Sequence, residues 1–124
     1  MAVPILKQGD YLIASIQGAL SDTEVLALRD DLAERIGALR SRGVIVDVAA
    51  MDVIDSFVAR SLRTIAQTAK LRGAETVIVG IQPDVAVALV HFELDLEPLH
   101  AALDLEEGLD LLDGLTGKVT SHGG

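Results

Sequence analysis

The 124-residue chain contains no cysteine and no tryptophan, only one tyrosine and two phenylalanines, and three prolines. Without cysteine there can be neither a disulfide framework nor a thiolate metal site. Aromatics make up 2% of the residues and apolar residues 50%, so the interior has to be built from Ala, Val, Leu and Ile. Cations are scarce too: ten Lys and Arg stand against nineteen Asp and Glu, a net charge of −9. That balance argues against nucleic acid as a partner, because phosphates need a basic footprint. It fits a soluble protein or one that meets a basic partner surface. No apolar run reaches the roughly 18 residues of a membrane span, and no basic segment followed by an apolar one opens the chain as in a secretory leader. The expectation is therefore a cytoplasmic protein with no membrane partner. The length is that of one domain, which buries roughly two thirds of its unfolded surface.

The pattern along the chain is strand, strand, helix, strand, helix, strand, helix, short strand, helix. Pro4–Lys7 and Tyr11–Ile16 read as strands around a Gln8-Gly9-Asp10 turn. Ser21 and Glu24 have the capping-box spacing, and Val25, Leu28, Leu32, Ile36 and Leu39 follow at helical intervals. Arg35, Arg40 and Arg42 fall near the end of that helix, where cations suit the dipole, and Gly43 is the expected residue after its C-cap. Val44–Val48 is a continuous apolar strand of the kind covered on both faces. The next helix should bury Phe57, Leu62, Ile65, Ala66 and Ala69 and stop at Gly73. Thr76–Val79 is another strand. Pro83 suits a first helical position, ahead of Val85, Ala86, Leu89 and Val90. Leu99–Ala101 is a candidate edge strand. Asp104 and Glu107 repeat the capping spacing for a last helix to Asp113. Residues 1–113 are expected to form the domain and the Gly-rich 114–124 a disordered tail. There are no internal repeats. Strands alternating with helices after an opening hairpin give an α/β fold, one mixed sheet with helices packed on it.

The chemistry concentrates between Val48 and Arg60. Two carboxylates, Asp52 and Asp55, bracket the apolar pair Val53-Ile54, and a hydroxyl, Ser56, follows at once where a strand hands over to a helix. A helix start offers unpaired N–H groups and a positive dipole end, so it suits an anion such as a phosphorylated serine. It equally suits a plain N-cap, a role serine fills well. The residues alone leave both readings open. Asp52 and Asp55 suit loop and cap positions better than Mg²⁺ ligation, and Phe57 has the area of a core anchor.

Little else is reactive. His91, His100 and His122 lie in contexts that do not point to Ser56, so the base a serine nucleophile needs is missing. There is no G-x-S-x-G elbow and no glycine-rich phosphate loop with its Lys and Ser/Thr. No metal and no cofactor is expected.

The stretch D-V-I-D-S-F (Asp52–Phe57) resembles the phosphorylation loop of STAS domains, the anti-sigma-factor-antagonist fold, and its D-S-F form is similar to the stressosome branch. V-P-I-L-K at Val3–Lys7, G-I-Q-P-D-V-A-V-A-L-V at Gly80–Val90 and A-L-D-L-E-E-G-L at Ala102–Leu109 agree, so the resemblance covers nearly the whole chain. It departs after the third helix, where relatives often place a Gly and this chain has His91-Phe92-Glu93-Leu94. The resemblance implies a single STAS domain with a mainly parallel sheet and about four helices. It implies a non-enzymatic regulatory scaffold that assembles with paralogous sensor STAS proteins, as a large hetero-oligomer or by self-association. It further implies sequestration of a serine-protein kinase of the switch type, released when Ser56 in its loop of Asp52, Asp55 and Phe57 is phosphorylated. Two rivals stand beside it: a free anti-sigma-factor antagonist bound by an anti-sigma kinase, and a small serine-dependent enzyme.

Overall fold

A computed structural model describes residues 3–117. The opening hairpin pairs β1 (Ile5–Gln8) antiparallel to β2 (Tyr11–Ser15). From there strands and helices alternate: α1 (Asp22–Leu39), β3 (Gly43–Asp47), α2 (Ser56–Leu71), β4 (Glu75–Val79), α3 (Pro83–His91), β5 (Leu99–Ala102) and α4 (Leu105–Thr116). The five strands lie in the order β1-β2-β3-β4-β5, parallel from β2 onward. This is the expected α/β architecture, with four helices on one mixed sheet.

The alternation of side chains along each strand separates two cores. On one face Leu12, Ala14, Val44, Val46 and Ile78 meet Leu28, Leu32 and Ile36 of α1, Val58, Leu62 and Ile65 of α2, and Val85 and Leu89 of α3. On the other, Tyr11, Ile13, Ile45, Val77 and Val79 meet Leu112 of α4. Three helices thus cover one face and one covers the other. Close approach there needs glycine twice: a Cβ at Gly108 would stand 2.7 Å from Val79, and one at Gly43 2.8 Å from Leu112.

Several element ends differ from the sequence expectations, each for a visible reason. Gly43 begins β3 instead of capping α1; the left-handed cap is Arg40 (φ 52). Leu39 is left outside the core, 43% exposed, while Val25, Leu28, Leu32 and Ile36 keep to it. None of the arginines lies in the last turn of α1. Arg35 pairs with Asp31 at 3.2 Å, and Arg42 donates to the Thr116 carbonyl at 2.6 Å. Where the resemblance implies a glycine, α3 closes on Phe92 and Glu93 takes the left-handed conformation itself (φ 54).

The last helix runs past Asp113 to Thr116, because this turn is held from several sides. Tyr11 Oη donates to Asp113 Oδ1 at 2.5 Å and lies 3.2 Å from Thr116 Oγ1, which in turn donates to the Leu112 carbonyl. Gly117 then closes the helix at φ 73. The remainder of the expected tail, residues 118–124, lies outside the described residues.

Burial, and secondarily the bond to Asp113, raises the Tyr11 phenol above its usual 10.0. A raised folded-state pKa means that the neutral phenol's stabilisation is complete below about pH 10 and is lost as pH climbs through the folded value. Urea midpoints between pH 8 and pH 11.5 should stay level and then fall. In Tyr11→Phe the alkaline fall should shrink, and stability at neutral pH should drop by about 1.5–3 kcal/mol for the lost charged hydrogen bond.

Candidate functional site

The segment between β3 and α2 sits at the carboxyl ends of the parallel strands, and its backbone is fixed from below. Val48 N–H donates to the Val79 carbonyl at 3.0 Å, Met51 N–H to the Val48 carbonyl at 2.9 Å, and Asp47 Oδ1 accepts from Ala49 N–H at 2.9 Å. Met51 and Ile54 are buried and anchor the loop in the larger core. Between and beside them Asp52, Val53 and Asp55 face solvent, Val53 at 69% exposure. Apolar anchors alternating with exposed carboxylates make a rigid loop with a charged rim.

The geometry gives the cap of α2 to the residue before Ser56. The N-cap is Asp55: its extended backbone (φ −101, ψ 171) precedes the helix, and its Oδ1 accepts from Val58 N–H at 2.8 Å. Ser56 is the first helical residue, half-buried, and its hydroxyl caps nothing. Asp55 outcompetes it because a cap must stand one residue before the helix, where only Asp55 reaches the third N–H. The amides of Ser56 and Phe57 have no acceptor among the described residues. Stability should follow this division of labour. Asp55→Ala should cost about 0.5–2 kcal/mol, whereas Ser56→Ala should stay within about 0.5 kcal/mol. Paired urea titrations check this, and the reverse order would return the cap to Ser56.

Phe57 is not a core anchor. The inward stripe of α2 is Val58, Ala59, Leu62, Ile65, Ala66 and Ala69, which turns Phe57 sideways, half-buried, into a groove against Val25 and Leu26 of α1. Asp52 and Asp55 flank Ser56 as expected, so the structure brings the four residues into one short stretch of loop and helix start.

Sequence reasoning missed the neighbour that holds this loop. Gln82 occupies the N-cap of α3 but makes no cap bond; its Nε2 donates to the Ala49 carbonyl at 2.7 Å. Gly80, at φ 78, lets the β4–α3 turn pass so close that a Cβ there would stand 2.9 Å from Ala49. A lone glycine between strand and helix was the only hint. The histidines converge on nothing here. His91 ends α3 at its far end from the loop, and His100 Nε2 lies 3.8 Å from Glu75 at the start of β4. His122 lies outside the described residues. Among those residues no group of three or more His, Asp or Glu side chains could hold a metal ion, and no helix is long and apolar enough to cross a membrane.

A family model for the STAS domain matches residues 2–108. The chain belongs to the STAS-domain family. Among solved structures, this STAS domain is similar to RsbS of Moorella thermoacetica, in a serine-to-glutamate variant. The two are 37% identical with a TM-score of 0.80, covering 93% of this chain and 97% of that one. A chain from a structure of the stressosome, described there as a signal integration and transduction hub, is also 37% identical, with a TM-score of 0.74 over 90% of this chain and 97% of that one. The co-antagonist RsbRA of Bacillus subtilis is 23% identical over 122 residues, 98% of this chain and 44% of that protein. The STAS domain spans less than half the length of the curated Bacillus relatives it matches first. The anti-sigma factor antagonist SpoIIAA, 13% identical with a TM-score of 0.68, shares the fold.

Proposed function

We propose that this STAS domain is a cytoplasmic, non-enzymatic regulatory scaffold of a stressosome-type assembly, built with paralogous STAS proteins. It sequesters a serine-protein kinase of the switch type and releases it when Ser56 is phosphorylated. The observation that carries this is the position of Ser56: an uncommitted hydroxyl at the first residue of α2, beside two backbone N–H groups with no acceptor among the described residues, on a loop with Asp52 and Asp55 exposed. The full-length likeness to RsbS and to a stressosome component supports the assembly half of the reading.

The mechanism is electrostatic. A phosphoserine carries about −1.5 to −2 charges at neutral pH. At Ser56 its oxygens lie at the positive end of α2, so the helix tolerates it. Beside Asp52 and Asp55 it concentrates negative charge on an exposed rim that is already acidic. The kinase surface, and not the fold, bears the repulsion. A serine-to-glutamate change in the Moorella relative is compatible with the same fold.

Incubation with the cognate kinase and ATP, followed by mass spectrometry, tests the assignment. Phosphate should appear on Ser56, and Ser56→Ala should abolish it while kinase binding persists. Ser56→Asp should keep the fold and weaken kinase binding, by less than a phosphate because it adds only one charge. Phosphate on Ser21, Ser61 or Thr64 with Ser56→Ala still fully modified would sink the reading. A particle far larger than the 13.1 kDa chain when mixed with a paralogue supports the scaffold. A strict monomer in that mixture would leave the free anti-sigma-factor antagonist in its place.

A further inference from the structure

In a chain with nineteen acidic and ten basic residues, one surface groove gathers three arginines. It runs between the N-terminal halves of α1 and α2, holds about 390 Å³, and is lined by Val25, Leu26 and Phe57 with Arg29, Arg60 and Arg63 around them. The arginines are incompletely used. The Arg60 guanidinium has no hydrogen-bond or ion-pair partner among the described residues. Arg63 gives one bond to the Asp95 carbonyl at 3.1 Å, while its Nε is shielded from solvent and meets no acceptor. Arg29 is paired with Asp30 at 3.0 Å, but at an exposed site where such pairing is weak. A half-buried phenylalanine under spare guanidinium groups is the composition of an interface centre, where aromatics and arginine are enriched.

The complementary surface lies on the other face of the same molecule. The first turn of α4 exposes Glu106 and Glu107, with Leu103 (76% exposed) and Leu105 (37%) beside them. Neither glutamate side chain has a partner among the described residues. Helices α1, α2 and α4 each follow a strand of the parallel set, so all three begin at the same end of the sheet. A second copy displaced perpendicular to the sheet therefore brings its α4 first turn to the level of the groove.

We propose that the groove between α1 and α2 seats the first turn of α4 from a second copy of this chain, with Glu106 and Glu107 meeting Arg60 and Arg29 and the exposed leucines covering Phe57. This rests on the assembly reading above and names its contact. The interface is heterologous, one face against the opposite face, so a pair keeps one free groove on one copy and one free α4 on the other, and association continues into rings or open stacks instead of stopping at a dimer.

Two double variants test it, both at exposed positions: Arg29→Glu/Arg60→Glu reverses the groove, and Glu106→Lys/Glu107→Lys reverses the helix. Circular dichroism and urea midpoints confirm folding, and sedimentation velocity over a concentration series reads association. The wild-type chain should grow in mass beyond a dimer as concentration rises. Each variant alone should associate about a hundredfold more weakly, since like charges then face each other at every contact. The equimolar mixture should regain association, because the acidic groove of one then takes the basic helix of the other, and the converse holds at the next contact. Variants that associate alone as well as wild type, or folded variants whose mixture stays dissociated, overturn this contact while leaving the assembly reading intact. A wild-type chain that stays monomeric alone overturns this contact, and one that stays monomeric with a paralogue as well overturns both.

Discussion

Leu112→Ala should lower the unfolding free energy by about 2–5 kcal/mol, the range for a fully buried leucine whose site cannot collapse. Leu112 is completely shielded from solvent, and in the smaller core it is the side chain through which α4 meets Tyr11, Ile13, Ile45, Val77 and Val79. Neighbouring atoms cannot readily refill its place. They belong to strands tied on both sides and to Gly43, whose missing side chain is part of the fit. The loss should be local in character. Amide exchange should accelerate first along α4, while α1, α2 and α3, seated in the other core, keep their protection. A second substitution sharpens the test. Gly43→Ala alone should destabilise, because its Cβ would lie 2.8 Å from Leu112 and 2.9 Å from Tyr11. In the Leu112→Ala background the same methyl meets space where Leu112 stood, so the two effects should not add. Additive losses, or a loss from Leu112→Ala below about 1 kcal/mol, would show that α4 is held by something other than this side chain.

Gly80→Val should be the most damaging change near the candidate site, about 3 kcal/mol or more from backbone strain and overpacking together. Gly80 has φ 78, where a β-branched residue is a strained outlier. Its Cβ would also press on Ala49 from 2.9 Å, with Ala49 Cα and N at 3.1 Å, which are backbone atoms and cannot rotate away. The expected consequence reaches further than stability. Ala49 is also the acceptor of the Gln82 side chain, so displacing it pulls on the loop that presents Asp52, Asp55 and Ser56. In a nitrogen–proton correlation spectrum the Ser56, Phe57 and Val58 amides should shift in Gly80→Ala, a milder variant suited to this reading. A Gly80→Ala spectrum unchanged over residues 49–58 would show that the two loops do not communicate.

The fold was legible because local signals agreed with one another. Ser21 and Glu24 read as a capping box, and both halves of it form. Four of the five apolar positions expected on α1 are buried, and the order of the nine elements is the one the pattern implies. What failed were choices between adjacent residues. Asp55 and Ser56 are both good caps, and only the phase of the helix, set by Val58 and Leu62 entering the core, decides between them. The same phase turned Phe57 out of the core. The loop-to-loop contact of Gln82 with Ala49 spans 33 positions and leaves no periodic trace. The helical end at Thr116 depends on Tyr11 and Arg42, more than seventy residues earlier in the chain.

Because strand order repeats chain order, each strand from β2 to β5 can dock on the edge left by its predecessor as soon as one intervening helix has formed. Each closure crosses a single helix, as from Tyr11 to Gly43 or from Thr76 to Leu99, so the sheet can be extended one strand at a time while synthesis is still under way. The second face obeys a different clock. Among the described residues its helical cover is α4, which follows all five strands in the chain, and the bond between α4 and Tyr11 joins residues 102 positions apart. A nascent chain with residues 105–116 still in the ribosome therefore carries a nearly complete sheet whose Ile13, Ile45, Val77 and Val79 stand open to water. Apolar surface left open in this way is the condition under which aggregation competes with folding.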